Sequence, residues 1–197
     1  MARPKLRTPE LHDRIVRAAL DTLATDGLER LTTRGVAEAA QTSIPAVYEL
    51  FGDKAGLVRA LFFAGFAELA DSLDAAHPDS DVDPAAELRV AVDTIRRFVL
   101  ARRALAAVMF QRPVADFAPG PAELEGTARV REHLVAILRR CVEHRLAAGD
   151  PLDLAHVQLA IVQGLAVQEA AGWLGTSAAS IERRWRLGAS ALPRAPG

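Results

Sequence analysis

Apolar residues recur at three- and four-residue spacing along nearly the whole chain, whereas the alternation typical of strands is almost absent. The first periodic segment, residues 9–26, carries Leu11, Ile15 and Leu23 at this spacing, and Gly27 follows it as a helix stop. The stretches 77–83 and 111–122 contain prolines and separate the later periodic segments. The pattern therefore predicts an all-α fold of about nine helices.

The predicted helices form two groups. Three short ones come first, at about 9–26, 33–40 and 44–50, and a long fourth helix begins after Asp53 and ends near residue 76. Later helices are predicted from residue 84 through at least residue 99, and at about 104–110, 123–148, 153–174 and 177–192. This grouping predicts an N-terminal domain of residues 8–52 and a C-terminal domain of residues 53–197.

The second and third short helices are joined by a three-residue break at 41–43, as in a helix-turn-helix motif. In such a motif the N-terminal end of the second helix enters the major groove, and here that end is Ser43, Ile44, Pro45 and Ala46. On pattern alone, a plain three-helix bundle with a half-buried Tyr48 remains an equal alternative.

The charge distribution bears on the same question. The chain has 24 basic and 25 acidic residues, which excludes a polybasic protein. Residues 1–17, however, contain five basic side chains against two acidic ones: Arg3, Lys5, Arg7, Arg14 and Arg17 against Glu10 and Asp13. This arm could follow a phosphate backbone or enter a minor groove, or be a disordered tail in the free protein.

Residues 10–60 resemble the N-terminal domain of TetR-type transcriptional repressors. The resemblance rests on RIVRAA (14–19), Gly27, LTTRGVA (31–37), Ser43, VYELF (47–51) and DKAGL (53–57). It implies that Tyr48 and Lys54 contact phosphates, that Thr32, Thr33 and Arg34 touch DNA at the start of the second helix, and that Ser43, Ile44, Pro45 and Ala46 approach bases. It also implies that Phe51 packs the recognition helix onto the bundle.

The chain departs from the family pattern at the turn. Gln41 and Thr42 stand where the family usually has Gly-Val, so a residue with a Cβ must adopt the turn conformation, at a cost of about 1 kcal/mol if φ is positive. Glu49 puts a negative charge in the recognition helix, where it accepts a bond from cytosine or points to solvent.

The C-terminal part contains an uncharged segment, residues 157–168, that must be buried on several sides. The family resemblance implies that the last two helices pack against the same pair of a second subunit, which makes a homodimer and a palindromic double-stranded DNA operator. The expected interface residues are Val157, Ile161, Leu165, Ile181, Trp185 and Leu192. The alternative is a core within one chain.

The central helices are rich in aromatic residues. In the family this region encloses a ligand pocket, and the candidate lining residues here are Phe63, Phe66, Phe98, Met109, Phe110 and Phe117. A small, largely apolar ligand is the default expectation. Residues 109–117 also resemble a Phe-x-x-Arg-Pro loop of one subgroup, although aromatic residues at helical spacing equally suit a plain core.

Other functions find little support. With one cysteine, Cys141, no intramolecular disulfide can form, and a reducing, cytoplasmic location is expected without a signal peptide or membrane span. Phosphate loops and zinc motifs of enzymes are missing, so we expect no catalysis, metal or cofactor. The resulting hypothesis is a homodimeric repressor released from its operator by a ligand; the alternative is a helical ligand-binding or protein-interaction module that has lost specific DNA binding.

Overall fold

The structure, a computed structural model, describes residues 8–76, 82–110 and 120–192. Within these ranges every regular element is a helix, which confirms the all-α prediction. The helices are α1 (Pro9–Asp26), α2 (Thr33–Ala39), α3 (Ile44–Phe51), α4 (Lys54–Ala76), α5 (Pro84–Ala101), α6 (Arg103–Phe110), α7 (Pro121–Gly126), α8 (Ala128–Glu143), α9 (Pro151–Ala170) and α10 (Ala178–Ala189).

Side-chain caps fix where the short N-terminal helices begin. The hydroxyl oxygens of Thr8, Thr32 and Ser43 each accept a bond from the backbone N–H three residues later. Asp53 does the same for Gly56, with its Oδ1 accepting at 2.9 Å. These caps place α1 to α4 close to their predicted bounds.

The predicted helix at 123–148 is wrong as a single element. The structure breaks it into α7 and α8 at Thr127, directly after Gly126, which has a low helix propensity. α8 then ends at Glu143 because Arg145 takes a left-handed φ of 59°. The described residues consequently hold ten helices instead of about nine.

The first compact unit comprises the described parts of Met1–Phe66 and Arg102–Leu124. It contains the predicted residue 8–52 domain, the start of α4, and α6. In it α1 packs on α2, α2 on α3, and α6 on α1. Ile15, Leu31 and Val47 are fully buried at its centre.

The second unit comprises the described parts of Ala67–Ala101 and Glu125–Gly197. In it α8 packs on both α5 and α9, and α10 packs on α9. Leu88, Ile95 and Leu134 are almost completely buried in its core. None of the helices in the described ranges combines the length and apolar character that crossing a bilayer requires.

Candidate nucleic-acid interface

α2 and α3 form the predicted helix-turn-helix, joined by residues 40–43. Pro45 lies in the first turn of α3, where a missing N–H costs no helical hydrogen bond. The Ser43 cap and Pro45 together make the start of α3 a defined, rigid end.

The turn takes the strained conformation anticipated for a residue that has a Cβ. Gln41 has a φ of 51°, in the left-handed region. Its N–H donates to the Glu38 carbonyl at 3.0 Å, and the Thr42 N–H donates to the Ala37 carbonyl at 2.9 Å. This is the hydrogen-bond pattern of a Schellman motif, in which glycine is the usual left-handed residue.

One side of α3 is open to solvent. Ile44 is 36% exposed and Tyr48 is 51% exposed, while Ser43 and Pro45 beside them are also exposed. The Thr33 hydroxyl donates to the Tyr48 Oη at 3.4 Å, so the start of α2 and the middle of α3 present two neighbouring hydroxyls. Arg34, next along α2, is exposed as well.

Ala46 does not belong to this open surface. It is buried together with Val47, because those two positions lie on the side of α3 that faces the bundle. The expectation that Ala46 approaches a base is therefore corrected: its methyl group contributes to packing.

Lys54 makes a specific contact. Its Nζ donates to the Leu28 carbonyl at 3.1 Å, which ties the start of α4 to the loop after α1. An ammonium carries three donors, so this bond leaves two for another acceptor. The lysine is thus held in place and still able to bind an anion.

Two packing contacts of the motif escaped the sequence prediction. The His12 ring stacks on Phe51, with centroids 5.0 Å apart and planes at 25°. A Cβ on Gly56 would overlap the Phe51 carbonyl oxygen, so the glycine permits the close approach of α4. Phe51 packs on the bundle as expected, but a His12 partner 39 positions away left no pattern in the sequence.

The candidate pocket residues lie partly together. In the first unit the Phe66 ring is 5.6 Å from that of Phe110, and a Cβ on Gly65 would come within 2.5 Å of the Met109 Sδ. Phe63 is half-buried nearby in α4, whereas Phe98 is buried within the second unit. Phe117, residues 111–116 of the segment that resembles the Phe-x-x-Arg-Pro loop, and Arg3, Lys5 and Arg7 lie outside the described residues.

From Val157 to Gln168, the exposed face of α9 carries no formal charge; Asp153, one turn earlier, is exposed and charged. Val157, which is 54% exposed, lies on this face together with Ala160, Gly164 and Val167. On the adjoining side, Ile161 and Leu165 are half-buried and pack over Gly188 of α10, where a Cβ would lie 2.5 Å from the Leu165 Cδ1. Ile181 and Leu192 are also half-buried.

Trp185 is packed inside its own subunit, which corrects its assignment to the dimer interface. It is 3% exposed, and its Nε1 donates to the Glu169 Oε2 at 2.6 Å. The Arg96 guanidinium lies 4.9 Å from the ring centroid and donates to Glu169 at 2.8 Å. That hydrogen bond to Glu169 raises the pKa of Arg96.

Two family models match the chain. Residues 15–61 match the model of bacterial regulatory proteins of the tetR family, and residues 88–192 match the tetracyclin repressor-like C-terminal domain. The second match alone spans 105 of the 197 residues. A comparison with curated proteins found no match.

Solved structures share the fold. A protein of unknown function from Rhodococcus sp. RHA1 is 24% identical with a TM-score of 0.78, covering 98% of this chain and 100% of its own. The fatty acid degradation regulator FadR from Bacillus halodurans is 17% identical with a TM-score of 0.70, covering 92% and 99%. A TetR variant from Acinetobacter baumannii AYE, in complex with minocycline, is 22% identical with a TM-score of 0.62, covering 89% and 90%.

Proposed function

Because the chain belongs to the TetR family of bacterial regulatory proteins, which are DNA-binding transcriptional regulators, we propose that it is a homodimeric repressor. A small-molecule ligand releases it from a palindromic operator. Residues 8–52 form the DNA-binding domain and residues 53–197 the ligand-binding and dimerisation domain. Its site of action is chromosomal DNA in the cytoplasm.

The open side of α3 is the observation that carries the DNA-binding role. Ser43, Ile44 and Pro45 are exposed at its start, while Ala46 and Val47 face the bundle. Ile44 leaves about a third of its surface in solvent at this end, and that apolar surface suits a thymine methyl in the major groove. The bundle therefore holds α3 with its N-terminal end free to enter a groove.

Phosphate contacts surround this end. The adjacent Thr33 and Tyr48 hydroxyls would bind one phosphate, and Lys54 at the start of α4 and the exposed Arg34 of α2 would add positive charge. The Thr32 hydroxyl oxygen accepts the cap bond from the Gly35 N–H, which leaves its O–H to donate to a phosphate. Such contacts position the protein on DNA, and the groove-facing residues supply sequence discrimination.

The uncharged face of α9 supports the dimer. Val157, Ile161 and Leu165, with Ile181 and Leu192, would be buried against the same helices of a second subunit, and Gly164 lets the two backbones approach closely. Two-fold symmetry then places two α3 helices on a palindromic operator.

Ligand control would act through α6. This helix packs on α1 and, through Met109 against Gly65, on α4. A largely apolar ligand bound beside Phe63, Phe66, Met109 and Phe110 of the first unit would shift α6 and so bias the DNA-binding bundle. The sequence candidates Phe98 and Phe117 remain predictions. Its differential affinity for the two states needs to be about 1–3 kcal/mol.

The test is binding of the full chain to duplexes from the region upstream of its own gene, compared with shuffled duplexes of equal composition. We expect sequence-specific binding with nanomolar affinity, about 1000-fold tighter than to shuffled DNA. Equal affinity for both duplexes at every salt concentration would contradict the proposal and favour a module without specific DNA binding.

A further inference from the structure

The turn between α2 and α3 holds a residue in an unfavourable conformation. Gln41 has a φ of 51° at the position after the helix cap, where glycine fits without a steric clash because it has no Cβ. The turn is short, since only Gln41 and Thr42 separate the Ala40 cap from Ser43, the cap of α3. Any relaxation of Gln41 would therefore rotate α3 relative to α2.

Arg14 of α1 reaches this turn from 26 positions earlier in the sequence. Its Nε donates to the Ala40 carbonyl at 3.0 Å. Carbonyls at a helix C-terminus lack an intrahelical partner, so the guanidinium satisfies an acceptor that the helix itself leaves open. Its positive charge also suits the negative end of α2.

We propose that Arg14 is a positioning residue for DNA recognition. By holding the Ala40 carbonyl, it offsets the strain at Gln41 and fixes the angle at which α3 leaves the turn. The inference rests on the proposed function for its effect on DNA, but the clamp itself is a property of the free protein. Because Arg14 acts through the turn, the effect of removing Arg14 and the effect of relieving the strain at Gln41 must be non-additive.

The experiment is a double-mutant cycle on the full chain, with Arg14→Met, Gln41→Gly and both together. The probes are the upstream duplex and a shuffled duplex. Arg14→Met should weaken binding to the upstream duplex about tenfold, because α3 then has to be fixed relative to α2 when the protein binds. Gln41→Gly alone should change affinity less than about threefold, and in the double variant it should restore most of the loss because glycine adopts the turn without strain.

Arg17→Met is the matched control, because Arg17 is an exposed arginine one turn later on the same helix. Arg17→Met should change the DNA affinity by the same factor whether position 41 is Gln or Gly. The slope of log affinity against log salt should stay unchanged in Arg14→Met. A slope shallower by about one unit without rescue would show Arg14 bound directly to a phosphate, and would overturn the inference.

Thermal unfolding of the same variants without DNA separates this inference from the proposed function. Arg14→Met should lower the unfolding midpoint by several degrees. Gln41→Gly should raise the midpoint by more in the Arg14→Met background than in the wild type. Additive midpoints would overturn the clamp, whether or not the wild type binds the upstream duplex. If Arg14→Met does not fold, Arg14→Lys keeps the charge but lacks the Nε–H, and should show the same coupling at smaller size.

Discussion

The exposure of Tyr48 is not explained by the packing of the N-terminal bundle. The tyrosine ring is 51% exposed on α3, and its Oη lies 3.4 Å from the Thr33 hydroxyl across to α2. Neither hydroxyl is needed to fill the core of the bundle, which Val36 and Val47 occupy. The proposed phosphate contact would explain why these two hydroxyls stand on the surface side by side.

Tyr48→Phe should therefore weaken binding to the upstream and shuffled duplexes alike, by about tenfold, because one hydrogen bond to a charged phosphate is lost. Fluorescence anisotropy at several salt concentrations measures both affinity and slope. Thr25→Val is the matched control, since the Thr25 hydroxyl donates to the Asp21 carbonyl of its own helix at 2.9 Å. Unchanged affinity in Tyr48→Phe would remove this hydroxyl from the interface.

Lys54→Gln should behave differently, because it removes a charge. The salt slope should become shallower by about one unit if Lys54 neutralises one phosphate. The variant should also be less stable, since the bond from Nζ to the Leu28 carbonyl is lost. Reduced stability with an unaltered slope would make Lys54 a structural residue only.

Cys141 provides a probe of the second unit. It is fully buried, and burial raises the pKa of its thiol. The thiolate is the reactive form, so the folded protein should resist a thiol-reactive reagent at pH 8, whereas the unfolded chain reacts readily. Since this is the one cysteine of the sequence, labelling reports directly on opening of the unit. Rapid labelling under native conditions would contradict tight packing around α8.

At the scale of elements, local patterns predicted the N-terminal helices well and the contacts between helices poorly. Thr32, Ser43 and Asp53 cap their helices through bonds that act within three residues, so the starts of these helices depend on local sequence. Trp185 has the same stripe spacing whether it meets a second subunit or Glu169, because periodicity marks the apolar face of a helix but not what covers that face.

The same limit applies to the DNA-binding surface. The turn strain at Gln41 followed from replacing glycine, since the conformation of a turn is a local property. The bonds from Arg14 to Ala40 and from Lys54 to Leu28 each span 26 positions and depend on how the helices cross. The periodicity of a sequence does not predict contacts between residues so far apart in the chain.

The pairing of α5 with α8 depends on a buried charge. Glu87 is 3% exposed and accepts a bond from Arg140, whose Nη2 also donates to the Val82 carbonyl at 2.8 Å. Removing one partner of a buried pair leaves a desolvated charge, which costs more than removing both.

Arg140→Met should lower the free energy of unfolding by about 3 kcal/mol, and the double variant with Glu87→Leu should lower it by less. Urea denaturation followed by circular dichroism measures both. Arg186→Met is the control, because its pair with Glu182 spans 3.7 Å between exposed side chains and should contribute less than about 1 kcal/mol. A double variant less stable than Arg140→Met would show that Glu87 stabilises α5 by another contact.

For the whole molecule, the exposed faces of the last two helices differ in kind. From Val157 onward the exposed side of α9 carries Val157, Gly164 and Val167 without a formal charge, whereas α10 exposes Arg183 and Arg186. An uncharged face with small residues is expensive to leave in water and suits close helix packing. These exposed residues of α9 therefore form an apolar surface on which a second subunit can pack.

Val157→Glu should dissociate the proposed dimer while leaving the protomer folded, because Val157 is 54% exposed in the single chain. A charge buried between two copies should raise the dimer dissociation constant about 30-fold or more, equivalent to about 2 kcal/mol. Val90→Glu makes the same chemical change at a 37% exposed valine on α5 and should leave the dimer intact. Sedimentation velocity measures the assembly, and circular dichroism checks helix content.

Since one subunit presents one α3, the monomeric variant should also lose the cooperative part of operator binding. A Val157→Glu protein that sediments as a dimer would exclude the α9 face as the interface, and with it the symmetry argument for a palindromic operator.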